Sequence, residues 1–193
     1  MQKIIRLSNG LRVALEYCPS FRTVAFGIWV KAGSINENDK NNGIAHAIEH
    51  MLFQGTTTKT SKDIADIIAS IGDDVNAFTS KEFTSFYATT LPEYLPKLIE
   101  LLGDMFLNPS FSKEAFKKEK SIILDEIDLY NDSPDDLVHE MLQNRIWQKH
   151  PLGYIISGKK TNVKRFTAEQ LRAFKEEYYR AENMIISVAG NFD

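Results

Sequence analysis

Runs of apolar and polar residues divide the chain into short elements. Two β-type runs, IIRL and LRVALEYC, flank the tripeptide Ser-Asn-Gly at 8–10, a turn-forming sequence that predicts a hairpin. In TVAFGIWV (23–30), Val24, Phe26, Ile28 and Val30 alternate with Ala25, Gly27 and Trp29, which predicts a strand buried on both faces. The polar, turn-rich AGSINENDKNN then leads into GIAHAIEHMLFQGT (43–56), where apolar residues fill most positions. Ser61 fits the N-cap of a helix through Ile71, with Asp63 in its first turn. FTSFYATTL (83–91), rich in aromatics and threonine, predicts another strand. Pro92 opens a long helix, PEYLPKLIELLGDMF, with Leu95, Leu98, Ile99 and Leu102 on one stripe. Ser112 caps a helix over 112–131, and Pro134 starts another through Trp147. Thr167-x-x-Gln170 has the form of a capping box for a helix through Tyr178, and 184–188 returns to strand character.

Hairpin strands set apart from runs of helices predict an α+β fold, with helices packed on one face of a mainly antiparallel sheet. No repeat, low-complexity tract or internal linker interrupts the pattern, so residues 1–193 are expected to form a single domain. A composition of 43% hydrophobic and 25% charged residues is that of a soluble globular chain and excludes disorder. A net charge of −3 supplies no general attraction to nucleic acid or to an anionic membrane. The opening MQKIIRLSNG lacks an apolar core of signal-peptide length, and no run reaches about 18 apolar residues. A cytoplasmic location without a membrane partner is the expectation. Cys18, alone in the chain, excludes an internal disulfide and reads as a packed free thiol. The chain stops directly after the apolar strand in MIISVAGNFD, which predicts that it is part of a longer protein.

Candidate chemistry concentrates in 43–56. His46 and His50 are four apart, so on a helix they share a face about 6 Å apart along the axis. Both imidazoles can then reach one ion at Zn–N distances of about 2.0–2.1 Å. Glu49 borders the same face and can take a proton from water at the metal. H-x-x-E-H is the zinc protease motif in the reverse order of H-E-x-x-H. Five-residue patterns also arise by chance in buried helices, so spacing alone leaves the metal centre and the plain core helix evenly matched. A third ligand would separate them. The predicted helix over 112–131 carries Glu119 and Glu126, seven apart, within ~20° of one face and ~10.5 Å apart along the axis. Ile122 and Ile123 between them mark that face as inward. One of the two glutamates can ligate the ion; the other is too far along the axis and would act behind the ligands or on substrate.

With these residues in hand, the chain resembles, over essentially its whole length, the pitrilysin/insulinase family of zinc peptidases, which includes the mitochondrial processing peptidases. GIAHAIEHMLFQGT is similar to that family's zinc helix. The family's third ligand is the second glutamate of an E-x6-E pair, which falls here on Glu126, 126 − 50 = 76 positions after His50. Glu119 matches the earlier glutamate, which supports catalysis. VNAFTSKEFTSFYATTL (75–91) resembles the family's segment for holding extended substrate, implying Asn76, Ala77, Phe78 and Thr79 as substrate-binding residues. KHPLGYIISG and NMIISVAGNFD match further landmarks. Two departures stand out: Ala47 replaces a bulkier residue, and Ile-Gly-Asp-Asp at 71–74 replaces a more usual Gly-Gly pair. The resemblance implies the metallohydrolase fold of that family and one Zn²⁺ per chain, held by His46, His50 and Glu126. It implies Glu49 as the base that activates water and then protonates the leaving amine. Family members have two homologous halves, and this chain matches only the first. A peptide or unfolded polypeptide substrate, a missing C-terminal half or homologous subunit, and self-association are therefore the partners to consider.

Other residues read more blandly. His139 sits beside Glu140 on a polar helix and is expected to be solvated, and His150 precedes Pro151 in a loop. Glu82, near the Asn76 segment, could orient a metal-bound histidine from behind. The leading function is a zinc endopeptidase present as its N-terminal catalytic half. The competing reading is a binding or assembly subunit, non-catalytic or inactive in isolation.

Overall fold

Local signals place most elements where the pattern predicts them. The computed structural model describes residues 2–72 and 74–192, so Asp73, in the 71–74 departure, lies outside the described residues. In chain order the elements are β1 (Gln2–Arg6), β2 (Arg12–Tyr17), β3 (Val24–Val30), α1 (Ile44–Leu52), α2 (Ser61–Ser70), β4 (Val75–Thr79) and β5 (Thr84–Thr90). They continue with α3 (Leu95–Leu107), α4 (Lys113–Asn131), α5 (Pro134–Ile146), α6 (Lys160–Arg165), α7 (Ala168–Tyr178) and β6 (Met184–Gly190). The short α6 is one element the apolar pattern does not announce. Ser112 accepts from the Ala115 N–H at the start of α4, and the Thr167/Gln170 capping box opens α7. At α2 the cap is Thr60, one residue before the expected Ser61; its hydroxyl accepts from the Asp63 N–H and the Asp63 carboxylate reaches back. Either neighbouring hydroxyl could cap, and only Thr60 has Asp63 three residues ahead of it to close the box.

The strands form one mixed sheet in the order β1-β2-β6-β3-β5-β4. β2 pairs with β6 in parallel, and the other neighbours are antiparallel. β4 is therefore an edge strand, bonded among the described residues to β5 alone. On β3, Val24, Phe26, Ile28 and Val30 are at most 4% exposed and face the helices, whereas Ala25 is exposed and Trp29 half-buried. The expectation of burial on both faces is thus corrected: helices cover one face only. Trp29 nonetheless folds down beside Gly27, donating its Nε1–H to Ser187 Oγ at 2.9 Å. In α3 the inward stripe is Leu98, Leu101, Leu102, Met105 and Phe106; Ile99 is exposed, which shifts the predicted stripe around the helix.

α1 runs through the middle of the molecule, packed on the sheet side against β4 and flanked by α4 and α7. Ile44, Ala45, Ala47, Ile48, Met51 and Leu52 are all buried. Fully burying a side chain such as Ile48 or Leu52 contributes roughly 1.5–3 kcal/mol, so this helix is as much a core element as a functional one. The turn that leaves α1 is fixed by Asp104 of α3, which accepts from Thr56 Oγ1 at 2.8 Å, Lys59 Nζ at 2.9 Å and Thr58 Oγ1 at 3.2 Å. Among the described residues no helix is long and apolar enough to cross a membrane.

Candidate metal centre

α1 and α4 lie side by side, and their facing surfaces bring His46, His50, Glu119 and Glu126 together. His46 and His50 project from α1, with their Nε2 atoms 3.2 Å apart. Glu126 of α4 places Oε1 3.5 Å from His46 Nε2 and Oε2 3.3 Å from His50 Nε2. These three residues form a group whose ligand atoms lie within 4.8 Å of one another, the requirement for a shared ion. Four ligands at about 2.0–2.1 Å from a tetrahedral zinc ion sit ~3.4 Å from one another, so the separations match its coordination edges. The inward face of α4 that delivers Glu126 holds Phe116, Glu119, Ile123 and Ile127, while Ile122 points out at 53% exposure. Of the two isoleucines that mark the face in the sequence, only Ile123 belongs to it.

Glu119, 5% exposed, sits about two turns before Glu126 and accepts from His50 Nδ1 at 2.8 Å. That bond commits Nδ1 to Glu119 and leaves Nε2 as the ring atom that faces Glu126 and His46. The His46 ring is held by packing, its Nδ1 buried with no hydrogen-bond partner. Glu82, by contrast, is exposed on the β4–β5 turn, and neither histidine bonds to it. The orienting carboxylate is Glu119, which arrives from the helix behind α1 rather than from the sheet edge. His139 is exposed, as expected, though it lies at the cavity rim. His150 Nδ1 accepts from the Leu152 N–H, a turn contact that matches its bland reading.

The electrostatics ask for positive charge at this point. Burial lowers the His50 pKa, but the carboxylates of Glu119 and Glu126 outweigh it and push it up to about 9. Glu126 is drawn well below the usual carboxylate range by His46 and His50. In the metal-free protein a proton on His50 supplies the charge that a dication would otherwise supply. A protonated imidazole cannot ligate, so any metal ion taken up at this candidate site must displace that proton. Apparent zinc affinity is therefore expected to rise about tenfold per pH unit up to about pH 9 and to level off above it. Chelator competition at several pH values, corrected for protonation of the chelator, measures this slope.

Beside the cluster opens a cavity of about 570 Å³, lined by His46, Glu49 and Glu126, by Ala77, Phe78 and Thr79 of β4, by α5 and by the loop 155–158. Glu49 Oε2 accepts a 2.5 Å hydrogen bond from Thr79 Oγ1. Along β4 the Ser80 N–H donates to Phe83 O and the Thr89 N–H to Asp74 O. In the register Val75↔Ala88 to Thr79↔Thr84, the pairs that exchange hydrogen bonds with β5 are thus those of 74, 76, 78 and 80. The backbone groups of Val75, Ala77 and Thr79 face the open edge, where Asn76 Oδ1 accepts from the Ala77 N–H at 2.8 Å. The Asn76 side chain therefore lies along the edge and is not among the residues lining the cavity.

Sequence reasoning missed the group that seats α1. Gly43 precedes the helix with a φ of +100° and has no side chain to cap it. Glu37, 4% exposed, takes that role from the preceding loop, accepting from Gly43 N–H at 2.8 Å, Ala45 N–H at 2.9 Å and Asn42 Nδ2 at 2.9 Å. Burial pushes its pKa up to about 7, against the pull of those three donors. Asn42 also donates to Ile155 O. Gly43 and Gly158 touch backbone to backbone: a Cβ on Gly158 would meet Gly43 Cα at 2.4 Å. The signal available in the sequence was a helix that opens on glycine and so must borrow its cap.

Comparison with known proteins agrees with this geometry. The sequence model described as Insulinase (Peptidase family M16) matches residues 12–160, and one described as Peptidase M16 inactive domain matches 165–193. The chain belongs to the M16, or insulinase, family of peptidases. It is 42% identical over 191 residues to a Bacillus subtilis protein named uncharacterized zinc protease YmxG, covering 99% of this chain and 47% of that one. It is 38% identical over 189 residues to the mitochondrial-processing peptidase subunit beta of Dictyostelium discoideum, covering 97% and 40%. A protease structure from Helicobacter pylori superposes with a TM-score of 0.94 at 24% identity, over 100% of this chain and 47% of that one, a likeness of fold. The chain thus spans about half the length of these relatives. The stretch matched by the second model contributes α7, packed on α1, and β6, which lies between β2 and β3.

Proposed function

We propose that residues 1–193 are the metal-bearing catalytic half of a zinc endopeptidase acting on extended peptides or unfolded polypeptides. The observation that carries this reading is the convergence of His46, His50 and Glu126 on one point, with Glu49 beside them in a cavity walled by the sheet's open edge. His46, His50 and Glu126 would hold the zinc ion, which when bound would lower the pKa of water to ~7 and polarise a carbonyl. Glu49, whose carboxylate borders the cavity, is the group that would accept a proton from the attacking water and return it to the leaving amine. Glu119 keeps His50 in the ligating tautomer. The edge groups of Val75, Ala77 and Thr79 hold the substrate as an added strand, the Asn76 amide yielding the Ala77 N–H as it docks. Main-chain pairing selects for extension more than for side-chain identity.

A second reading concerns the chain on its own: it binds zinc but hydrolyses little until a C-terminal half or homologous subunit joins it. Two observations favour this. The chain spans about half of its relatives, and α5, at the cavity wall, buries none of its residues, leaving Val138, Met141, Leu142 and Ile146 exposed. Metal analysis of the purified chain and cleavage of an unstructured peptide, with and without the C-terminal half, test both readings. One zinc per chain with chelator-sensitive cleavage supports the peptidase. Absence of stoichiometric metal overturns it, and zinc without cleavage until the second half is added selects the second reading.

A further inference from the structure

Glu49 neighbours a metal site yet must not become one of its ligands. A free carboxylate beside zinc is itself a good ligand, and a catalytic site needs its fourth position open. Among the described residues the group of mutually close ligand atoms is His46, His50 and Glu126, without Glu49. What holds Glu49 aside is Thr79. The Thr84 hydroxyl, opposite Thr79 in the register, lies 2.8 Å from Ala32 O and 3.5 Å from Thr79 Oγ1. Its single hydrogen serves the shorter bond, and in either case Thr79 Oγ1 is not needed as a donor to it. Thr79 is left free to donate to Glu49 Oε2, and at 2.5 Å the bond is of the short, charge-assisted kind. It occupies one carboxylate oxygen and leaves Oε1 for proton transfer. Thr79 is also one of the residues whose backbone faces the open edge of β4.

Taking the peptidase reading above as given, we propose that Thr79 is a positioning residue: its hydroxyl keeps Glu49 a base rather than a fourth ligand, and sets it in register with a substrate strand on β4. One residue thus fixes the base against the strand that would carry the scissile bond. Replacement by valine keeps the shape and β propensity of the side chain but removes the hydrogen bond.

The test uses Thr79→Val and Thr79→Ser, each with and without Glu49→Gln, in the protein supplied with its C-terminal half. Thr79→Val is expected to retain zinc stoichiometry and to lower kcat by about 10–100-fold, the range for loss of an orienting partner, with KM little changed. Thr79→Ser is expected to recover most of that loss. With cobalt(II) replacing zinc, Thr79→Val should alter the visible absorption bands as Glu49 turns onto the metal. That change should vanish when Glu49→Gln is also present. A Thr79→Val protein with full kcat, with the loss carried by KM, or with a cobalt shift that survives Glu49→Gln, overturns the proposal. Undiminished cleavage by Glu49→Gln alone overturns the peptidase mechanism instead, so the two failures are distinguishable.

Discussion

Replacing Glu49 by Gln is expected to leave one zinc ion per chain while lowering peptide hydrolysis by about 10²–10⁴-fold, the usual contribution of a general base. Glu49 stands outside the group of ligand atoms, so its charge is not needed to hold the ion. Gln fills the same volume and can accept the Thr79 hydrogen bond through its amide oxygen, which leaves the packing around α1 intact. What it cannot do is take up a proton near neutral pH. Metal analysis and steady-state kinetics on the same preparation separate the two properties. Loss of zinc together with activity would show that Glu49 is structural.

The converse result is expected at Glu126. Glu126→Gln removes the anionic member of the candidate ligand group and leaves two imidazoles 3.2 Å apart with less negative charge to neutralise a dication. Zinc should be lost at concentrations that saturate the unaltered protein. Glu119→Gln is the informative comparison, because Glu119 touches the candidate ligand group through His50 Nδ1 and is not a member of it. Its substitution should weaken zinc by about 10–100-fold, and Glu126→Gln by more than that. Glu119→Gln should also lower the His50 pKa, since one of the two carboxylates that raise it is gone. The slope of zinc affinity against pH should then level off at a lower pH. Equal zinc affinities in the two variants would remove the distinction between ligand and orienting partner.

Much of this site is legible in the chain because its information is local. Histidines four apart with a glutamate between them, and glutamates seven apart on a capped helix, define faces before any tertiary contact is known. The same holds for the hairpin at 8–10 and the capping box at Thr167. Legibility fails where a partner distant in sequence decides. No local pattern shows that β6 inserts between β2 and β3, so the one-sided burial of β3 could not be anticipated. Ile99 and Leu101 are both apolar, and only the approach of neighbouring helices decides which turns inward. Glu37 lies in a loop whose composition reads as solvated, yet it is buried because α1 opens without a cap. Glu82 is close to the site in sequence terms, but its turn faces solvent while Glu119 arrives from α4.

The contact between Gly43 and Gly158 has a practical consequence for anyone wishing to redirect the cavity. Ile155, Ile156 and Ser157 form one wall of it and are natural positions for altering selectivity. Gly158, next along, rests on the backbone at the start of α1, where a methyl group has no room. Variation of the wall can therefore be separated from disturbance of α1, provided a library leaves Gly158 and Gly43 fixed.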